Sequence, residues 1–184
     1  MFLLASASPR RHELLSAAGL KFTVYPADID ETPNKKEAPK DLVRRLAENK
    51  ARASLEEAKR VGATKIIAAD TVVARGLTVL NKPKDAADAA RMIKLLSGRT
   101  HHVYTGVSVL TVNGKQKTVV VATQVRFRKL SRDDIARYVD SGEGLGKAGA
   151  YAIQGLGAAL IDDVQGSYTN VVGLPVAETL ALLK

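Results

Sequence analysis

The chain contains no cysteine and no tryptophan among its 184 residues. Without thiols there is no disulfide framework, no zinc finger and no cysteine nucleophile, and nothing points to a secreted protein. Histidine is scarce as well: His12, His101 and His102 form no HExxH and no spaced His/Cys set. That argues against a zinc enzyme and leaves a hard ion, held by carboxylates and substrate phosphates, as the metal chemistry open to the chain. Aromatic residues make up only 4% and none interleaves with a basic cluster, which argues against a single-strand stacking platform and against nucleic acid as partner. No apolar run approaches the ~18 residues of a membrane span. The run at Met1–Ala7 has no basic residues ahead of it and is too short for a signal peptide. The expectation is a cytoplasmic protein with no membrane partner.

What is present is an ordinary globular balance, 46% hydrophobic and 26% charged, over a length that suits one domain spanning residues 1–184. The net charge of +9 fits a polyanionic partner, either a nucleic acid or the phosphates of a nucleotide.

Periodicity and breakers predict a strand over 2–6, a helix from Arg10 to Ala18 closed by Gly19, and a strand over 21–25. A polar loop follows over 26–39, then one long helix from about Lys40 to Arg60. Strands are expected at 65–73 and 77–80, and a helix from Asp85 to Leu96 with Asp85 as its cap. Strands at 102–112 and 116–127 flank Asn113-Gly114, the strongest hairpin signal in the chain. Ser131 should cap a helix to Asp140. A glycine-rich segment over 142–157 leads to a short strand at 158–164, a loop at 165–174 and a last helix opened by Pro175. The fold class is α/β: a mixed sheet flanked by helices, elongated, with two lobes around a cleft.

Several residues could carry chemistry. Ser8-Pro9-Arg10-Arg11 falls where the first strand hands over to the first helix; free N–H groups and forked guanidinium donors at such a place attract phosphate, although a basic pair opening a helix is also common on plain surfaces. Asp70 interrupts a buried apolar run, so it must pair, bind metal, face a cleft, or bond nearby backbone in a turn. Lys50 lies on the apolar stripe of its helix defined by Val43, Leu46, Ala47 and Ala53; a lysine there either snorkels to the edge or points at an anion. Lys82-Pro83 puts a cation in a stiff loop, and Asp30-Glu31 offers carboxylates in a polar one. The run Gly144-Leu145-Gly146-Lys147-Ala148-Gly149 matches GxGxxG but follows a helix rather than a strand, and Ala148 stands where a Walker motif needs Ser or Thr, so both phosphate-loop readings fail. There remains a glycine-rich loop whose backbone approaches something closely, a base or a phosphate among the candidates. Gln154 beside it can both donate and accept, as reading a base edge requires. His101 and His102 are expected to face opposite sides of a strand.

Taken together, these stretches resemble the Maf family, a branch of the ITPase-like house-cleaning pyrophosphatases. The matching pieces are Leu4-Ala5-Ser6-Ala7-Ser8-Pro9-Arg10-Arg11 with Glu13-Leu14-Leu15, Leu46-Ala47 with Lys50-Ala51, Ala69-Asp70-Thr71-Val72-Val73, and Lys82-Pro83. They continue with Leu96-Ser97-Gly98-Arg99-Thr100-His101 with Val103 and Thr105, Lys147-Ala148-Gly149-Ala150-Tyr151-Ala152-Ile153-Gln154-Gly155, Gly166-Ser167-Tyr168 and Val172-Gly173-Leu174-Pro175. Each piece is weak; their ordered set spans nearly the whole chain and is specific. The resemblance implies hydrolysis between the α- and β-phosphates of a nucleoside triphosphate, dependent on a divalent metal, Mg²⁺ or Mn²⁺. It implies Asp70 as the catalytic acid, acting as general base or metal ligand, with Glu31 as a further metal ligand. Ser8, Arg11, Lys50 and Lys82 would hold phosphates. One arm of the family prefers dTTP and UTP and carries Arg, Thr and Gln at three selecting positions, matched here by Arg10, Thr71 and Gln154. The other arm prefers 7-methyl-GTP and has tryptophan, glutamine and glutamate there. A homodimer is the family's habit. The rival readings are the 7-methyl-GTP arm and a non-enzymatic nucleic-acid-binding regulator of cell division.

Overall fold

The computed structural model describes all residues from 1 to 184. Its elements run β1 (Phe2–Leu4), α1 (Pro9–Ala17), β2 (Phe22–Val24), α2 (Pro39–Ala53), α3 (Leu55–Arg60), β3 (Lys65–Arg75), β4 (Thr78–Leu80) and α4 (Ala86–Leu96). They continue with β5 (Thr100–Thr111), β6 (Gln116–Phe127), α5 (Arg132–Asp140), two 3₁₀ segments at Ala148–Ala150 and Gly155–Leu160, β7 (Ile161–Gln165), α6 (Tyr168–Val172) and α7 (Val176–Leu182). The seven strands form one mixed sheet in the order β2-β1-β3-β5-β6-β7, with β4 paired to β3. β1 is parallel to both β2 and β3, whereas β4 and β7 pair antiparallel. The α/β class and the mixed sheet flanked by helices are as expected.

The chain divides into two compact units. The first comprises Met1–Thr71, Thr105–Val121 and Gly173–Lys184. Strand alternation sorts its apolar residues onto two faces. Leu3 of β1, Ala5 just after it, and Ile66 and Ala68 of β3 pack with Ala51 of α2 and Ala58 of α3. The alternate residues Leu4, Ile67 and Ala69 pack with Leu15 of α1 and Leu174. Each face therefore has its own small core, closed by helices.

The second unit comprises Val72–Tyr104 and Ala122–Val172. Its core joins Val73, Leu80, Met92, Ile93, Leu96, Val125, Phe127 and Tyr138 with Tyr151 and Leu160. Two helices start as their sequences dictate. Asp85 accepts from the Asp88 N–H, and Ser131 with Asp134 completes a reciprocal capping box that satisfies two of the otherwise orphaned donors.

Three expectations need correction. The helix from Lys40 to Arg60 is broken at Ser54, whose backbone leaves helical angles and whose hydroxyl donates to the Lys50 carbonyl, the back-bond that bends helices at serine. The strand expected at 158–164 starts only at Ile161, because Gly155–Leu160 winds into 3₁₀ turns. The loop at 165–174 contains α6, a helix too short for periodicity to reveal. Smaller shifts elsewhere lie within the fraying of element ends.

Candidate functional site

β3 reaches beyond its parallel partner. The β1–β3 register ends with Leu4 opposite Ile67, and the Ala5 N–H donates to the Ile67 carbonyl. Asp70 and Thr71 therefore lie just past the carboxyl end of the parallel pair, where α/β sheets place ligands. Alternation then separates the two side chains. Asp70 shares the parity of Ile66 and Ala68 and faces α2; Thr71 shares the parity of Ile67 and Ala69 and faces α1.

On the α2 side, Lys50 is the polar member of a buried face otherwise made by Leu42, Val43, Leu46, Ala47 and Ala51. Ala53, expected on that stripe, is exposed; the buried alanine is Ala51. The Lys50 ammonium does not snorkel outward. It donates to Asp70 Oδ1 at 2.7 Å and reaches Glu31 Oε1 at 2.6 Å. Lys50 and Asp70 are only 8% and 7% exposed, so their charges survive burial by pairing, while Glu31 stands in solvent and closes the group from the loop before α2. One N–H of the ammonium and the second oxygen of Asp70 remain without a protein partner.

On the α1 side, Arg11 acts as a hub. Its Nε donates to the Gly173 carbonyl (2.9 Å), and Nη1 donates to Ser6 Oγ (3.0 Å) and to the Ala69 carbonyl (2.9 Å). Nη2 donates to Thr71 Oγ1 at 3.0 Å. Four of the five guanidinium donors thus tie together the segment after β1, β3 and the turn before α7, leaving one for a ligand. Burial of the guanidinium end pulls Arg11 below the usual arginine range, opposed by the charge of Asp70. The Thr71 hydroxyl is also engaged, by Thr105 Oγ1 at 2.9 Å and the Gly173 carbonyl at 3.2 Å. Gly173 holds a φ of +134°, which glycine adopts freely and which aims its carbonyl at both partners.

Of the residues singled out in the sequence, Arg11, Glu31, Lys50, Asp70 and Thr71 come together in this first unit, and Ser8 and Arg10 open α1 beside them, both half-buried. Ser8 sits at the cap position without a side-chain cap bond. Lys82 and Gln154 belong to the second unit, where both are exposed. Sequence reasoning missed Ser6, Thr105 and Gly173, the partners of Arg11 and Thr71. All three lie inside the quoted stretches, but only folding shows what they touch.

The glycine-rich segment does approach something closely, and at two positions that something is its own chain. A Cβ on Gly144 would stand 2.1 Å from the Ala150 carbonyl oxygen, and one on Gly157 would stand 2.0 Å from that of Ala152. These two glycines are required by close approach of the chain to itself rather than to a base or phosphate. His101 and His102 do separate: His101 is buried with Nε2 2.8 Å from the Tyr151 hydroxyl and edge-on to Phe127, while His102 stacks on Tyr104. His101 belongs to the core.

Nowhere do three or more His, Cys, Asp or Glu side chains gather as a metal cage. Two carboxylates meeting on one ammonium do suit a hard ion that takes its remaining ligands from water and phosphate oxygens, the habit of Mg²⁺.

A carboxylate held among cations past the end of parallel strands defines an α/β protein suited to a phosphate-bearing ligand. The Maf-like protein family model matches residues 1–184, and the chain belongs to that family. It is 52% identical, over its full length and 91% of the relative, to a dTTP/UTP pyrophosphatase of Myxococcus xanthus. It is 50% identical to a dTTP/UTP pyrophosphatase of Chelativorans sp., over 98% of this chain and 88% of the relative. Among solved structures, a nucleoside-triphosphatase (dITP/XTP pyrophosphatase) from Mycobacterium abscessus matches 70% of this chain and 74% of its own at a TM-score of 0.40 and 18% identity, too loosely to place residues.

Proposed function

We propose that this protein hydrolyses dTTP and UTP to the nucleoside monophosphate and pyrophosphate. The observation that carries the reading is the buried Lys50–Asp70 pair, shared with Glu31 and flanked by the Arg11 hub. Full-length identity of about half to dTTP/UTP pyrophosphatases supports it.

The chemistry asks little covalent work of the protein. Water attacks the α-phosphorus in line, the bond to the bridging oxygen breaks, and pyrophosphate leaves with the electron pair. Asp70 acts through the carboxylate oxygen that Lys50 does not occupy, either as the base that orients the water and takes its proton or as a ligand of the metal. Lys50 and Arg11 each offer one remaining N–H and a fixed positive charge to the phosphates, and Ser8 and Lys82 are the further phosphate-binding groups. A divalent cation, Mg²⁺ or Mn²⁺, would be held by Asp70 and Glu31 together with phosphate oxygens. When bound it neutralises the charge that develops on the phosphates. Arg10, Thr71 and Gln154 are the selecting residues in this reading. Since the Thr71 hydroxyl is engaged within the protein, its contribution is shape, whereas the exposed Gln154 amide can bond a base edge. Cytoplasmic location and a homodimer are the proposals for place and assembly; no helix is long and apolar enough to cross a membrane.

The test is pyrophosphate release from a panel of triphosphates with Mg²⁺ or Mn²⁺. Turnover of dTTP and UTP well above CTP, GTP and 7-methyl-GTP is expected. Preferential cleavage of 7-methyl-GTP would move the protein to the sister arm. Salt-sensitive DNA binding with no turnover would overturn the enzymatic reading.

A further inference from the structure

Gln154 has no side-chain hydrogen bond within the protein, yet its backbone is held on both sides by one pair of residues from and after α5. The Glu143 carboxylate accepts from the Leu156 N–H through Oε2 and from the Gly157 N–H through Oε1, each at 2.8 Å. The Tyr138 hydroxyl donates to Glu143 Oε1 and accepts from the Ala152 N–H, each at 3.2 Å. Tyr138 is 4% exposed, and burial pushes its phenol up, so it remains a donor at any physiological pH. Lys147 donates to the carbonyl of Glu143 and secures the turn that carries it. Gly157 packs so closely on the Ala152 carbonyl that no side chain fits, and a Cβ on Gly155 would stand 2.4 Å from Glu143 Oε2. Residues 152, 156 and 157 are thereby fixed around residue 154, while the amide of Gln154 itself is left exposed.

We infer that Glu143 and Tyr138 are positioning residues for base selection: they fix the backbone on both flanks of Gln154 so that its amide meets the pyrimidine edge in one placement. The inference rests on the proposed pyrimidine triphosphate reading and deepens it. A uracil or thymine edge presents a carbonyl acceptor beside an N–H donor, and cytosine presents the reverse. A glutamine amide rotated by half a turn matches either, so the residue type alone selects nothing. Selection requires that the amide arrive where only one orientation also satisfies its surroundings, and a flexible 152–157 segment would lose that. Because the carboxylate accepts two backbone N–H groups and a phenol, removing its charge weakens all three bonds at once.

The test compares Glu143→Gln and Tyr138→Phe with wild type and with Gln154→Ala, measuring kcat and KM for UTP and CTP. Both positioning variants should lower the UTP-over-CTP ratio of kcat/KM by about tenfold, chiefly through a higher KM for UTP, with kcat within about threefold. Adding Glu143→Gln to Gln154→Ala should lower the ratio little further, since both act through one amide. Amide hydrogen exchange at residues 152–157 should quicken in Glu143→Gln with the rest of the protein unchanged. An unchanged ratio alongside UTP turnover would overturn the inference and leave the functional reading standing. Equal loss on both nucleotides with a lowered melting temperature would also overturn it, as the mark of a purely structural role. Should Glu143→Gln fail to fold, Tyr138→Phe, which deletes one oxygen, carries the same comparison. A wild-type protein inactive on every pyrimidine triphosphate would instead defeat the functional reading on which the inference rests.

Discussion

The ammonium of Lys50 on α2 lies 2.7 Å from Oδ1 of Asp70 on β3, and both side chains are nearly closed to solvent. Twenty residues apart in sequence, they meet because Lys50 occupies the sheet-facing side of its helix and Asp70 the helix-facing parity of its strand. A charged pair in such a place is costly to form and worse to break. That gives each member a distinct mutational signature.

Asp70→Asn keeps the shape of the side chain and its bond to Lys50 but removes the charge. Turnover of dTTP should fall by about 10²- to 10⁴-fold, the range that a positioned acid or base contributes. The circular dichroism spectrum should be unchanged. Wild-type turnover in this variant would remove Asp70 from the mechanism.

Lys50→Met should destabilise more than Asp70→Asn, because it strands a buried carboxylate. A loss of about 3 kcal/mol is expected for breaking one side of such a pair. Combining it with Asp70→Asn should recover part of that loss, since no buried charge is then left alone. Urea denaturation of the two single variants and the double variant measures the coupling; strictly additive losses would contradict the pairing.

His101 gives the fold a dependence on acid. Burial, assisted by the neighbouring His102, lowers its pKa to about 3, whereas the unfolded chain titrates near the ordinary value of 6.5. The folded protein keeps this ring neutral while the unfolded chain takes up a proton. Stability therefore declines as pH falls from 6.5 towards 3, by about 2 kcal/mol from this group at pH 5. His101→Gln should show a smaller stability difference between pH 7 and pH 5 than wild type, by the same denaturant assay.

Two glycine substitutions separate steric need from backbone strain. Gly157→Ala would bring its Cβ to 2.0 Å from the Ala152 oxygen, a clash the backbone must move to relieve, and should cost more than about 3 kcal/mol. Gly142→Ala meets open space but must hold a φ of +69°, for a cost of about 1 kcal/mol. Thermal melts should rank them in that order; equal losses would mean that the 152–157 segment yields.

Much of the fold is local and so was legible. Asp85 and Ser131 cap the helices that they were expected to cap, Asn113-Gly114 turns the long hairpin, and Gly19 and Gly98 follow their helices. The errors fall where local and tertiary preferences compete. Ser54 carries no breaker signature, yet its hydroxyl ends α2. Residues 158–160 were expected to begin a strand, yet Gly155–Leu160 winds into 3₁₀ turns whose Leu156 N–H is held by the Glu143 carboxylate, 13 residues distant.

The same division holds at the site. An aspartate in an apolar strand and a lysine on an apolar helix face are anomalies of burial, and burial patterns are periodic, so both could be singled out from sequence alone. Arg11 and Thr71 were singled out as well, but the bond between them spans 60 residues. Ser6 and Gly173 look ordinary until they are seen on that guanidinium, and Thr105 until it is seen against the Thr71 hydroxyl. The glycines at 144 and 157 suggested a close approach without saying to what.

By itself, the order of the residues determined the alternation of helices and strands, the exclusion of thiol chemistry, and the identity of the residues whose burial had to be explained. The tertiary structure alone decided which charge answers which: Lys50 to Asp70 and Glu31, Arg11 to the turn at Gly173, Glu143 to the backbone around Gln154. The reason is physical. Periodicity and capping act over a few residues and are written in the order of the chain, whereas a hydrogen bond forms between whatever groups packing brings within 3 Å, however far apart the chain holds them.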